Sequence, residues 1–215
     1  PEHPELGGVT SEQMRDQFAR QLRYTAGLAT TYPPSALTGA SEHQRLATGF
    51  EIGTRFHSAP VVRVADGRRM ELGHAHRADG RWRIYAFGGA DDSALRAFVQ
   101  WLTDGEDSPV HRFTAQDADL DSVIDVHGVF RTDAHDVDIT GVPGVLLPRT
   151  GPLGLQDWEK AWAIDPARDI FAMRGIDAAG AMVVVRPDQY VAHVLLLTAR
   201  AELTAFFAGF LVEPR

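Results

Sequence analysis

Gly88-Gly89-Ala90-Asp91-Asp92-Ser93 stand between RWRIYAF, which alternates polar or small with bulky apolar side chains, and SALRAFVQWL, whose apolar residues recur at helical spacing. A strand that ends on glycines and restarts as a helix leaves unpaired backbone N–H groups at the positive end of the helix dipole, a place suited to a phosphate or a reactive thiolate. Here it carries two carboxylates. Asp91 and Asp92 repel phosphate, and their expected role is to cap the helix. The chain has no cysteine, which excludes disulfides, thiol redox chemistry and thiolate metal ligation together.

Other combinations fall short of a site. There is no G-x-x-x-x-G-K-[ST] and no G-x-G-x-x-G after a strand, so neither common nucleotide cradle is present. Asp117, Asp119 and Asp121 open QDADLDSVIDVHG like a calcium loop. Its sixth position is Ser122 where glycine is needed, and its twelfth is Gly128 where a bidentate glutamate is needed. His74 and His76 share a face if LGHAH is extended, and His127, Asp133, His135 and Asp136 cluster in sequence, but a metal requires several convergent ligands with outer support. No G-x-S-x-G elbow occurs. The expectation is therefore no catalytic, cofactor-binding or metal site.

At 215 residues, 44% hydrophobic and 23% charged, the chain suffices for one large domain with a substantial core. A net charge of −8 without a Lys/Arg-rich run argues against a nucleic-acid partner. Apolar runs such as AMVVV and VLLL fall far short of the roughly 20 residues that cross a bilayer. No basic-then-apolar signal segment opens the chain, so no membrane partner and a cytoplasmic location are expected. The first residue is Pro1, not methionine, from which a piece of a longer protein is expected.

The positioning elements follow from pattern. PEHPELGG reads as extended linker. In VTSEQMRDQFARQLRYTAGLATTYPPSAL, Thr10 and Gln13 form a capping box, Val9 and Met14 a hydrophobic staple, and YPP stops the helix. Met14, Phe18 and Leu22, continued by Ala26 and Ala29, make an apolar stripe that needs a partner. These three large residues are the candidate interface, docking on the chain's own domain or on a preceding one. PVVRVADGRRMEL, with Asp66-Gly67, is a hairpin or a strand followed by a loop. RWRIYAFGG is a strand, and SALRAFVQWLTDG a helix with Leu95, Phe98, Val99 and Leu102 facing a core, capped from Asp91, Asp92 or Ser93 and closed by Gly105. DSVIDVHGVFR alternates as a strand, TDAHDVDITGVPGVLLPRTGPLG is a long irregular connection, and DWEKAWAID is a short helix. AMVVVRPDQYVAHVLLL gives two strands around RPDQ. In AELTAFFAGFLVE, Leu203, Phe206, Phe207, Phe210 and Leu211 fall on one helix face.

The order β-α-β, then β-β-α, gives an α/β fold with a thioredoxin-like sheet, without redox cysteines and preceded by an N-terminal amphipathic helix. A ferredoxin-like split is the alternative topology.

GFEIGTRFHSAPVVRVADGRRMELGHAHRADGRWRIYAFGG, AMVVVRPDQYVAHVLLL and ELTAFFAGF, with the helix ending TTYPPSAL, resemble the C-terminal domain of the phenol hydroxylase family of FAD-dependent aromatic monooxygenases. The resemblance covers nearly the whole chain. It implies that residues 1–40 are a linker and connecting helix from a missing N-terminal FAD/substrate domain, and that residues 41–215 are the thioredoxin-like C-terminal domain. It also implies a homodimeric parent that uses FAD and NAD(P)H to hydroxylate a phenolic aromatic such as 3-hydroxybenzoate. The family's FAD motifs belong to the other domain, so no functional residue is carried over and the fragment alone is expected to be inactive. The stretch Val185-Arg186-Pro187-Asp188-Gln189-Tyr190-Val191 resembles a family strand-turn-strand, with an implied structural role. The rival from another class is a self-contained thioredoxin-like binding or scaffold module. A small metal enzyme using His74 and His76 is the third.

Overall fold

The computed structural model describes residues 10–214, and the chain divides into two compact units between Tyr32 and Pro33. The first contains helix α1 (Ser11–Thr25). Its Thr10 side chain accepts from Gln13 N and its Gln13 side chain accepts from Thr10 N, so the expected capping box is formed. The linker PEHPELGG and the Val9 half of the staple lie outside the described residues. The helix stops earlier than YPP: Gly27 N donates to Tyr24 O and Leu28 N to Arg23 O, with Gly27 at φ +69°, a Schellman ending. Ala26 and Ala29 consequently lie past the helix and do not extend the stripe.

The second unit is built on strands β1 (Pro60–Arg63), β2 (Arg69–Glu71), β3 (Trp82–Phe87), then helices α2 (Ser93–Asp104) and α3 (Pro109–Arg112), then β4 (Ile124–Phe130). A small hairpin, β5 (Arg149–Thr150) with β6 (Leu155–Gln156), precedes β7 (Ala161–Ala163), α4 (Ile170–Met173), β8 (Ala181–Val185), β9 (Val191–Leu195) and α5 (Arg200–Ala208). Seven strands form one mixed sheet in the order β2-β1-β7-β4-β3-β8-β9. β3, β4 and β7 run parallel; β8 pairs antiparallel with β3 and β9 antiparallel with β8 on one side, and β1 pairs antiparallel with β7 and β2 antiparallel with β1 on the other.

Patterns and elements agree at the hairpin β1–β2, where Gly67 takes φ +69°, at β3, α2 and β4, and at β8–β9, where Gln189 takes φ +69° in the turn. All six residues of β3 are buried because the strand is central and covered on both faces. On one face α2 presents Leu95, Phe98, Val99 and Leu102 to Ile84, Val126 and Met182, with Leu203 and Phe207 of α5 in the same core. On the other face, residues 46–59 and α4 supply Phe50, Phe56, Ile170 and Phe171 against Tyr85, Phe87 and Trp162.

Two expected elements differ. DWEKAWAID is not a helix: Ala161–Ala163 is an interior strand bonded to β4 and β1, with all three residues buried. Three residues are too few to show a period, and charged flanks made the segment look like a helix start. The last helix ends at Ala208, so Phe210 and Leu211 leave the helical face. They still pack at the edge of the core, Phe210 stacking on Trp82 at 4.7 Å between ring centroids.

Candidate functional site

The strand-to-helix turn sits between β3 and α2, and its groups are consumed internally. Gly88 N donates to Val129 O and Ala90 N to Ala178 O. A Cβ on Gly88 would lie 2.0 Å from Asp92 Oδ1, and one on Gly89 would lie 2.8 Å from Ala178 O, so close approach explains both glycines. Asp91, one residue before the N-cap, accepts from Ser93 N at 3.0 Å in an Asx turn and so makes no cap bond to the second or third helical residue. The expectation for Asp92 needs correction: it is the N-cap residue, but its side chain makes no cap bond. It accepts instead from Arg131 N at 3.0 Å and Thr132 Oγ1 at 2.6 Å, just past the end of β4. Arg131 donates back to Gly89 O at 2.8 Å and lies over the Phe171 ring at 4.1 Å. Two carboxylates and a close-packed backbone do not fit an FAD pyrophosphate here.

The metal patterns are dispersed. Among the described residues no group of three or more His, Asp or Glu side chains could hold a metal ion. Asp119 accepts from Gly151 N, whereas Asp121 is buried in ion pairs with Arg81 and Lys160. LGHAH is not extended, because Leu72–Ala75 forms a 3-10 turn that leaves His74 exposed and buries His76. His127 lies in β4, away from the exposed His135 and Asp136 in the connection that follows.

The structure instead assembles a buried charge cluster that the motif patterns did not reveal. The β3–β4 register sets Arg83 opposite Asp125 and Tyr85 opposite His127, on one face near the start of both strands. Lys160, just before β7, inserts its ammonium between Asp121 (2.7 Å) and Asp125. Arg83 reaches Asp79 at 2.7 Å, and Arg81 reaches Asp121 at 2.7 Å. The Trp162 indole N–H donates to His127 Nδ1 at 3.1 Å, and His127 Nε2 faces Asp125 Oδ2 at 3.2 Å. With Nδ1 accepting, the proton belongs on Nε2, where it bonds the carboxylate. Burial pushes the Asp125 carboxyl up, but the His127 ring and the Lys160 ammonium outweigh it and hold it below the ordinary carboxylate range. Burial likewise lowers Lys160, and Asp125 and Asp121 reverse this, leaving it raised. A polar cavity of ≈ 100 Å³ adjoins the cluster, lined among others by Arg83, Asp125, His127 and Lys160. That volume takes a few waters, not a nucleotide. The sequence signal was the alternation of Arg83 with Tyr85 and of Asp125 with His127, but register cannot be read from either strand alone.

The expected interface residues are exposed: Met14 by 48%, Phe18 by 63% and Leu22 by 63%, and α1 contains no buried residue. Among the described residues no helix is long and apolar enough to cross a membrane.

The sequence model for "Phenol hydroxylase, C-terminal dimerisation domain" matches residues 30–215. The chain belongs to this family. This phenol hydroxylase C-terminal domain is 47% identical over 95% of its length to 3-hydroxybenzoate 4-monooxygenase of Comamonas testosteroni, of which it covers 34%. It is 32% identical over 96% of its length to the FAD-dependent monooxygenase terD of Aspergillus terreus, of which it covers 36%. The domain thus spans about a third of the length of these relatives. Among solved structures, a thiol:disulfide interchange protein from Bacteroides sp. matches with a TM-score of 0.51 at 12% identity, covering 76% of this chain and 91% of that one. The phenol hydroxylase domain is therefore thioredoxin-like in fold, without the cysteines.

Proposed function

We propose that this chain is the non-catalytic C-terminal part of an FAD- and NAD(P)H-dependent monooxygenase that hydroxylates a phenolic aromatic such as 3-hydroxybenzoate. The observation that carries this reading is the 47% identity to 3-hydroxybenzoate 4-monooxygenase across 95% of the chain. The flavin and substrate chemistry then belongs to a preceding domain in the longer protein. Residues 1–40 serve as the connection, with Met14, Phe18 and Leu22 of α1 docking on that domain, and residues 41–215 serve as the association module. A homodimer is the expected assembly, in keeping with the family description, and the cytoplasm the expected location.

Two observations support a structural role for the thioredoxin-like part. The turn after β3, where such a fold offers its helix N-terminus, is filled by Asp92 and Arg131. The buried cluster around Lys160 has its charges paired with one another. The test has two arms. The longer protein should consume NAD(P)H and oxygen in the presence of 3-hydroxybenzoate and release its 4-hydroxylated product, and this chain alone should retain no flavin through gel filtration. A stoichiometrically yellow sample of the chain alone would overturn the non-catalytic reading. Failure of the longer protein to oxidise any phenolic acid would overturn the activity.

A further inference from the structure

Arg83 Nε, the Tyr85 hydroxyl and both ring nitrogens of His76 are buried without a hydrogen-bond partner among the described residues. The three residues are 1%, 0% and 8% exposed. Arg83 spends its other two guanidinium nitrogens on Arg81 O and Asp79, and its Nε stands 3.5 Å from Asp125 Oδ2 without bonding it. With Asp125 and His127 it lines the cavity of ≈ 100 Å³ beside the charge cluster. Tyr85 and His76 adjoin the same groups: Tyr85 stacks on His127 at 5.1 Å between ring centroids, and both side chains lie in the fields of Arg83, Asp125 and Asp79.

Burial raises the Tyr85 hydroxyl, Arg83 opposing the shift and Asp125 and Asp79 adding to it, so the group keeps its proton. Burial lowers His76 to about 4, helped by Arg83 and His127, so at neutral pH its ring is uncharged and carries one N–H. The capacity left unspent is mostly that of donors. Each carboxylate lining the cavity already meets a cation: Asp79 and Asp125 meet Arg83, Asp157 meets Lys160, and Glu159 meets Arg63. Arg77 also lines it, is exposed, and has no ion pair among the described residues. Surplus donors beside an unpaired cation suit an anion, and size decides which. A cavity of about 150 Å³ admits benzene, so ≈ 100 Å³ excludes an aromatic acid and leaves room for a short aliphatic carboxylate. We infer that this cavity binds such a carboxylate, with Arg83 Nε and the Tyr85 hydroxyl donating to its oxygens and Arg77 pairing with it at the exposed edge. A planar carboxylate matches the edge of a guanidinium, and a hydrogen bond between charged groups is about twice as strong as a neutral one. The site does not depend on what the longer protein hydroxylates.

The experiment is an NMR titration of the 215-residue chain with sodium formate, sodium gluconate holding the ionic strength because gluconate is too large for the cavity. The reporter is the indole N–H of Trp162, which lines the cavity and donates to His127 Nδ1. A saturable shift is expected in the wild type, and 3-hydroxybenzoate should not compete for it. Arg77→Gln and Tyr85→Phe should each weaken formate binding about tenfold. Neither variant endangers the fold, since Arg77 is exposed and the Tyr85 hydroxyl has no partner to lose; equal unfolding midpoints check this. A shift that does not saturate overturns the site, as does one equally tight in either variant. Displacement of formate by 3-hydroxybenzoate overturns the choice of a short carboxylate.

Discussion

Asp92 Oδ2 accepts the Thr132 hydroxyl at 2.6 Å, so the N-cap residue of α2 holds the chain just past β4 instead of its own helix. The same carboxylate takes the Arg131 amide at 3.0 Å. Asp92→Ala removes the acceptor of these part-buried and exposed donors at the C-terminal end of the two central strands, and should cost about 0.5–1.5 kcal/mol. Amide exchange at Arg131 and Thr132 should accelerate with it. Unaltered exchange at both would show that the carboxylate is not their partner.

Lys160→Met keeps the bulk of the side chain and removes the ammonium between Asp121 and Asp125. Two buried carboxylates would then lose the ammonium between them, Asp121 keeping only Arg81 and Asp125 only Arg83 and His127, a loss of about 3 kcal/mol. The Asp125 carboxyl is held below its ordinary range in the folded chain, so its stabilisation is present above that range and disappears as pH falls toward the lowered value. In Lys160→Met that depression should shrink, and acid unfolding should begin at higher pH. Urea titrations of both chains between neutral pH and the acid transition read the shift; superimposed acid limbs would count against the pairing.

His76 and His193 supply a second acid sensitivity. Burial lowers both from 6.5 to about 4, with Arg83 adding to the effect at His76 and His43 at His193. The unfolded chain therefore takes up protons first as pH drops below 6.5. The contribution of these two groups is constant above that value and falls between 6.5 and about 4, less at His193 than burial alone would give because Glu202 lies 3.6 Å away. The urea midpoint should drop between neutral pH and about pH 4.5, and His76→Gln/His193→Gln should flatten the curve. An equally steep curve in that variant would assign the effect to other groups.

Gly39 lies against the His193 ring, where an added Cβ would meet Cγ and Cδ2 at 2.3 Å, while its N–H donates to Ala192 O at 2.7 Å. Gly39→Ala must push the ring or lift the segment off β9, at about 1–3 kcal/mol. The double variant Gly39→Ala/His193→Ala should recover part of that loss. A silent Gly39→Ala would mean that the segment is not seated on β9.

What was legible in the sequence was whatever rests on local pattern. Thr10 and Gln13 announced their capping box, Leu95, Phe98, Val99 and Leu102 their buried face, and Asp66-Gly67 a turn. Contacts distant in sequence were not. Trp162 occupies an interior strand only because β1 and β4 flank it, and its three-residue length carries no period. The charge cluster depends on the Arg83–Asp125 register and on Lys160 arriving 35 residues after Asp125, which no motif encodes. Asp92 looked like a cap because its position is one; its partner lies 39 residues away.

The stripe on α1 gives the last prediction. Met14, Phe18 and Leu22 are exposed and α1 has no buried residue, so no packing among the described residues of its own unit should resist a charge there. Phe18→Asp should leave the unfolding midpoint of the 215-residue chain unchanged to within about 0.5 kcal/mol. Thr10→Ala, which removes the cap, should reduce helicity without moving the main transition, the cap being worth about 1 kcal/mol to the helix alone. In the longer protein the expectation reverses: if α1 docks on the preceding domain, Phe18→Asp buries an unpaired carboxylate there and lowers that protein's melting temperature. A marked loss in the short chain would place the stripe within this chain's own fold or its dimer. Indifference in both would remove α1 from the interface.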